Sequence, residues 1–324
     1  MSNTQKKIRN WSEYNKSLVK RGHLLLSFDS NYLEQLYYQA PQRKGGLMVY
    51  SSKMYEFLLN IKVLLRLPWR ATTGFARALL QKTCPNFVVQ VPNYSHASRA
   101  CRKLKLKVKA VGLNSKEGLN IAFDSTGVNV YSTSGYHQRK YGKEGLYRKR
   151  EQWKKVHLAI DLDSLQIVSM AYTESGINDC EVVDELWDAI SNPINSVRAD
   201  GAYDTFDLYE RGYQKGAQII VPPAITSKAQ DELKKPSKIK KEYLDARDKT
   251  IHFIRQFEKF EDGLKQWKIN SKYHQRSLIE TTMFRFKRIF GFNLSSKSDE
   301  GRCNELVAKI NLLNQMAALG LPQY

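Results

Sequence analysis

Apolar side chains recur three and four apart from residue 54 onward: Met54, Phe57, Leu58, Ile61, Leu64 and Leu65. That spacing puts them on one face of a helix, which Leu67-Pro68 stops. A second helix fits residues 71–82, with Phe75, Ala76, Leu79 and Leu80 inward. Pro92-Asn93-Tyr94-Ser95 is a helix-start signal, and the third helix over residues 95–104 carries Arg99, Arg102 and Lys103. Lys105, Lys107 and Lys109 follow. Three short helices with a basic last one fit a helix-turn-helix that docks on DNA; a small bundle with a solvated basic face fits as well.

The period then changes to that of strands. Residues 120–124, 156–161 and 167–173 read as three strands, the first ending on Asp124, with Asp163-Ser164 as the turn between the other two. Asn178 opens a helix, Glu181 completes its capping box, and Val182, Val183, Leu186, Trp187 and Ile190 form its apolar stripe. Residues 194–200 are a fourth strand ending on Asp200. Asp204 caps a further helix, and residues 218–221 are a fifth strand stopped by Pro222-Pro223. The predicted fold is a mixed α/β sheet with flanking helices, preceded by a small all-α region. Beyond residue 223 a lysine-rich stretch leads to a strong helix over residues 273–290. A last helix over 301–319 has Cys303, Leu306, Ile310, Leu313 and Ala317 at heptad-like spacing, read as core packing with a dimer seam as the alternative.

Charge sharpens this division. The 324 residues carry a net +20, and it is uneven. Residues 1–110 hold 20 Lys and Arg against 4 Asp and Glu, a net of +16, which leaves +4 for the remainder. A polyanion-binding module joined to a different activity is implied, and nucleic acid is the obvious polyanion. The four cysteines, at 84, 101, 180 and 303, lack disulfide or metal spacing and read as small apolar residues in a reducing compartment. No secretory signal is legible in residues 1–15, and no uncharged apolar run approaches the roughly 18 residues of a membrane span. The expectation is a cytoplasmic, nucleoid-associated protein with no membrane and no nucleotide cofactor.

Asp124 and Asp200 are each followed by small residues, in Phe123-Asp124-Ser125-Thr126-Gly127 and Ala199-Asp200-Gly201-Ala202-Tyr203-Asp204. Acids at the carboxyl ends of strands in an open α/β sheet lie where ligands bind, although each alone is also a plain turn-former. Tyr273, Arg276, Glu280 and Lys287 fall within roughly 60° of one another on a helix at 100° per residue. They read either as a polar edge beside a site or as a salt-bridged solvated face, Arg276 and Glu280 being an i, i+4 pair. Phosphodiester chemistry uses two divalent ions about 3.5–4 Å apart, held by oxygen ligands. Three carboxylates from two strands and a helix suit that task, with Tyr273, Arg276 and Lys287 on flanking phosphates.

These three blocks resemble those of bacterial insertion-sequence transposases of the DDE type, on a ribonuclease H-like core. Tyr273-x2-Arg276-x3-Glu280-x6-Lys287 matches their YREK signature at every position, and the insertion-sequence family five group is the most similar. The likeness spans residues 118–320. It implies Asp124, Asp200 and Glu280 as catalytic residues and ligands of two Mg²⁺ ions, with Mn²⁺ able to substitute. It implies Tyr273, Arg276 and Lys287 as contacts to element-end DNA. The partners implied are double-stranded DNA, as terminal inverted repeats and target, and a second copy in an active homodimer. The expected reaction is hydrolysis at the element ends followed by transfer of the 3′-hydroxyl into target DNA. A ribonuclease H-like nuclease or resolvase without strand transfer, and a DNA-binding protein without chemistry, are the rivals.

The expected domains are a helical DNA-binding region over 1–110, a catalytic domain over 118–222 and 270–324, and a mostly helical insertion over 223–269. Further DNA contacts are expected at Arg99, Arg102 and Lys103, and at Arg148, Lys149 and Arg150 in a basic stretch between the first two strands. Trp267 reads as a packing residue or as one that stacks on a flipped base. His157 reads as a sheet residue. Asp161, Asp163, Asp179 and Asp204 read as turns and caps, with Asp204 also a candidate partner of the site.

Overall fold

The computed structural model describes residues 11–24, 30–38, 49–86, 90–114, 116, 118–130, 153–233 and 240–321. Its helices are α1 (Trp11–Arg21), α2 (Ser30–Gln35), α3 (Ser52–Leu65), α4 (Trp69–Thr83), α5 (Tyr94–Arg102), α6 (Val183–Asp188), α7 (Phe206–Lys215), α8 (Lys241–Arg255), α9 (Phe260–Asn270), α10 (Ser277–Phe290) and α11 (Asp299–Ala318). The strands are β1 (Leu119–Asn129), β2 (Trp153–Asp161), β3 (Ile167–Glu174), β4 (Ile194–Arg198) and β5 (Gln218–Ile220). Among the described residues no helix is long and apolar enough to cross a membrane.

The chain divides into two compact units. Residues 112–285 form one, built on a five-stranded sheet in the order β3-β2-β1-β4-β5. β1 pairs antiparallel with β2, and β2 with β3, while β1, β4 and β5 run parallel. Inward positions alternate along the strands, so Ile121, Phe123, Ala159 and Ala171 meet Leu186 and Trp187 of α6, Tyr203, and Leu208 of α7 in one core. Two expectations change in detail. β1 does not end on Asp124 but runs on to Asn129, because residues 125–129 pair with residues 153–157 of β2. The segment after Asn178 is a 3-10 turn, Asp179–Val182, followed by a short α6.

Residues 1–111 and 286–324 form the other unit. The division therefore falls within α10, and it differs from the expected grouping of residues 270–324 with the sheet. The reason is visible in α11. Its stripe of Leu306, Ile310 and Leu313 is buried, but so are Asn304, Asn311 and Asn314 on the remaining surface. Those amides bind the backbone of residues 101–109, the end of α5 and the stretch that follows it. Asn304 Nδ2 donates to the Cys101 and Arg102 carbonyls, and Asn304 Oδ1 accepts from Leu106 N. Asn311 donates to the Lys107 carbonyl and accepts from Lys109 N, and Asn314 donates to the Lys109 carbonyl. A second core gathers Leu36, Met54, Phe57, Leu58 and Ile61 with Ala76, Leu80 and Ala97 of α4 and α5. Phe75, expected inward, is exposed.

α11 also carries a buried charge cluster. Glu305 accepts from Ser295 N and Ser296 N at 2.9–3.1 Å and pairs with Lys309 at 3.0 Å. Lys62 of α3 joins through Ser295. Burial alone would raise the Glu305 pKa, but Lys309, Lys62 and the Ser295 N–H outweigh it and hold the carboxyl below its ordinary value. The stability Glu305 contributes is thus full at neutral pH and is lost as pH falls through the glutamate range toward its depressed pKa. Glu305→Gln should destabilise the protein by about 3 kcal/mol at pH 7, since two lysines lose their buried counter-charge. Urea unfolding at a series of pH values checks this: the gap between variant and parent should narrow below about pH 4. A gap that stays constant with pH would assign the loss to packing instead.

Candidate active site

Asp124 and Asp200 come together through strand register. Ala122 of β1 is paired with Arg198 of β4 in parallel, so Asp124 and Asp200 each lie two residues beyond a matched pair. β4 has ended there, which opens one flank of β1. The Asp124 carboxylate accepts from the backbone N–H of Ser125 at 2.8 Å. Asp200 caps the 3-10 turn Gly201–Tyr203, accepting from Ala202 N at 2.9 Å. Burial pushes the Asp124 pKa up; the Ser125 N–H and Arg276 pull it down, and Asp200 and Asp179 add to the rise. The net direction is upward, and burial is its main cause.

Glu280 reaches this pocket through Arg276. The expected helix over 273–290 begins instead with a 3-10 turn, Tyr273–Arg276, and becomes α-helical at Ser277. From that turn Arg276 donates to Glu280 at 2.7 Å and to Asp124 at 3.4 Å. Burial would lower the Arg276 pKa, but Tyr273, Asp124, Glu280 and Asp200 together raise it, so all three carboxylates act on one guanidinium. Asp124 and Arg276 are both 19% exposed in their side chains, whereas Glu280 is 59% exposed. Glu280 thus faces solvent beside a half-buried pair. Among the described residues no three His, Cys, Asp or Glu side chains stand close enough together to hold one ion. The donor chemistry, carboxylate oxygen alone, suits a hard divalent cation.

Other expected residues fall in varied surroundings. Tyr273 packs on Trp267 with ring centroids 5.7 Å apart, and burial raises its pKa. Trp267 is only 8% exposed and packs with Ile220 and Ile254. It occupies a core position here, because its indole fills the space between α9, α8 and β5. Lys287 lies on α10 past the unit boundary, its ammonium 5.0 Å from the Phe292 ring. Arg99, Arg102 and Lys103, at the end of α5, are exposed. Arg148, Lys149 and Arg150 lie outside the described residues.

Several features of the site were not legible as such. Asp204, expected to cap the next helix, instead precedes its N-cap Thr205 and makes a bidentate pair with Arg247 of α8 at 2.8 and 2.9 Å. Both side chains are 6% exposed, and Ser227 also donates to Asp204. The Tyr203 hydroxyl is buried without a hydrogen-bond partner among the described residues, in the field of Asp179, Asp124 and Asp200. Asp179 stands in a polar group with Ser125, Lys155 and His157. The signal for that group was the alternation of Lys155 and His157 on β2, which sets both on one face.

A model described as a transposase DDE domain matches residues 116–314, and a second model of the same description matches residues 19–133. Among solved structures, a Drosophila P element transposase strand transfer complex is 12% identical, with 92% of this chain and 71% of that chain covered and a TM-score of 0.30. That structural likeness is too slight to bear on the reading. The first match takes in well over half of the chain, together with Asp124, Asp200, Arg276 and Glu280, and so the chain belongs to the family of transposase DDE domains, enzymes of DNA cleavage and strand transfer.

Proposed function

We propose that this DNA transposase cleaves the phosphodiester at the ends of an insertion sequence and joins the freed 3′-hydroxyl to target DNA, with Asp124, Asp200 and Glu280 as its catalytic residues. The observation that carries this is the gathering of all three carboxylates about Arg276. Domains of this family generally use divalent metal ions. In this reading Asp124, Asp200 and Glu280 hold two Mg²⁺ ions, for which Mn²⁺ substitutes. Such ions, held by these carboxylates, would supply Lewis-acid polarisation of the phosphate and activation of the attacking water. The Ser125 N–H keeps the Asp124 carboxylate turned to the pocket, and Ala202 N does the same for Asp200. Arg276 offers a planar fork for a phosphate as well as for carboxylates, and Lys287 and Tyr273 supply further contacts to the end DNA. Both steps are in-line displacements, so one set of residues serves hydrolysis and joining alike.

The strand order and the antiparallel-then-parallel pairing support a ribonuclease H-like core. The spacing Tyr273, Arg276, Glu280, Lys287 supports the YREK signature and the insertion-sequence family five group. Helices α3, α4 and α5, with Arg99, Arg102 and Lys103 exposed at their end, support a helix-turn-helix that reads the terminal inverted repeats. Joining two ends in one event calls for a homodimer in the active complex.

Replacing Asp124, Asp200 or Glu280 with Ala should reduce cleavage by roughly a thousandfold or more. Binding to duplexes carrying the DNA that flanks this gene should persist. A cleavage and joining assay with Mg²⁺ checks this; near-parental turnover in any one variant removes that residue from the site.

Arg276→Ala and Lys287→Ala should fold as the parent does and yet assemble or cleave paired ends poorly. Lys287→Arg keeps the charge but widens the head group, and should recover only part of the activity. Thermal unfolding and paired-end complex formation on the same preparations decide between this and a purely structural salt bridge, for which activity would be untouched and the stability loss under about 1 kcal/mol.

Affinity of the full chain for end DNA should fall steeply with salt, each phosphate contact contributing roughly 0.9 to the logarithmic slope. A salt-independent affinity would contradict a DNA-reading role for the basic first 110 residues.

A further inference from the structure

Asp124 and Ser125 project to opposite faces of β1. Asp124 meets Arg276 on one face. Ser125 faces the other, where its hydroxyl donates to Asp179 Oδ2 at 2.9 Å. Asp179 is itself fixed. Lys155 of β2 donates to Asp179 Oδ1 at 3.1 Å and to the Ile177 carbonyl at 2.9 Å. His157, directly opposite Ser125 in the β1–β2 register, is fully buried, with Nδ1 3.4 Å from Asp179 Oδ1. Its Nε2 lies 2.9 Å from Thr173 Oγ1 on β3. Burial holds the His157 pKa down, so Lys155 is the positive charge that balances Asp179.

This group stands where β1 has lost a neighbour. The pairing of β1 with β4 ends at Ala122 and Arg198, so residues 124 and 125 are held by β2 on one side only. Ser125 is also the residue whose N–H holds the Asp124 carboxylate. An anchor on the Ser125 side chain fixes the peptide plane between the two residues, and with it the donor that orients Asp124. We infer that Asp179 is a positioning residue for the reaction: through Ser125 it sets the carboxylate of Asp124 from the far face of the strand, and Lys155 holds Asp179 in place. The inference rests on the reading of Asp124 as a catalytic residue.

The test uses the full chain, Mg²⁺ and duplexes carrying the DNA that flanks this gene. Ser125→Ala removes one hydroxyl, Ser125→Thr restores it, and Asp179→Asn removes the charge. Steady-state cleavage should show kcat lowered about ten- to a hundredfold in Ser125→Ala and Asp179→Asn. The KM for DNA should stay within about twofold of the parent. Ser125→Thr should regain most of the loss, and the Mg²⁺ concentration for half-maximal rate should rise in Ser125→Ala. Parental kcat in both Ser125→Ala and Asp179→Asn overturns the inference. So does a loss that Ser125→Thr fails to recover and that tracks a lowered melting temperature, since the hydroxyl would then serve only the fold. Asp124→Ala is the control for the underlying reading. If it cleaves normally, that reading has failed; if it is inactive while the Ser125 and Asp179 variants are not, only the positioning role has.

Discussion

Asp124 and Glu280 converge on one guanidinium, with Asp200 in its field, and that shared arginine is the interaction around which the site is arranged. Two unit charges 4 Å apart interact by about 4 kcal/mol at the effective dielectric of a protein surface. Left alone, such a group would protonate or splay apart. Arg276 offsets this from a position 152 residues beyond Asp124, touching Asp124 and Glu280 and sensing Asp200. Burial, the largest influence, still leaves the Asp124 pKa above its ordinary value. Half-buried carboxylate oxygens beside an arginine are of a chemistry suited to hard cations and to phosphates.

Geometry follows from the same requirement. The aspartates must be adjacent but on separate chain segments, and parallel neighbours of unequal length achieve that. β1 runs past the end of β4, so one aspartate is held within a strand and the other at the cap of a turn. The turn needs its own support. Asp204, four residues past Asp200, is locked to Arg247 in a buried bidentate pair, with Ser227 and the Lys228 carbonyl completing the bonds. Such a pair contributes little net stability relative to apolar packing. Its effect is to fix where helix α8 sits on the segment that carries Asp200. The stretch over residues 223–269 is thereby part of the framework of the site and more than a lysine-rich spacer.

Much of this was legible beforehand where one face is buried and the period is clean. The five strands and their order of appearance follow from alternating apolar runs, and the acids at 124, 200 and 280 stand out by their neighbours. What escaped notice depends on long-range pairing. The extension of β1 over Ser125, Thr126 and Gly127 depends on pairing with residues 155–157, a long-range contact that polar composition conceals. Asp179 looks like any acid at the start of a helix until β2 brings Lys155 and His157 to it. Trp267 admits both packing and base stacking from the sequence, and the Ile220 and Ile254 it packs with are brought to it only by the fold.

The last helix shows why apolar periodicity alone can mislead about domains. Its stripe of Leu306, Ile310 and Leu313 fits a core against either the sheet or the N-terminal helices. The deciding residues are polar. Residues 104–109 belong to no helix or strand, and buried backbone groups without partners are costly. Asn304, Asn311 and Asn314 supply the missing donors and acceptors, which apolar side chains of the same shape could not. The bonded segment then has two sides: Leu104, Leu106 and Val108 are half-buried, while Lys103, Lys105, Lys107 and Lys109 are exposed. Part of the positive charge in the first 110 residues is thereby displayed on a backbone held by side-chain amides, in an arrangement that a search for helices with a basic face would not find.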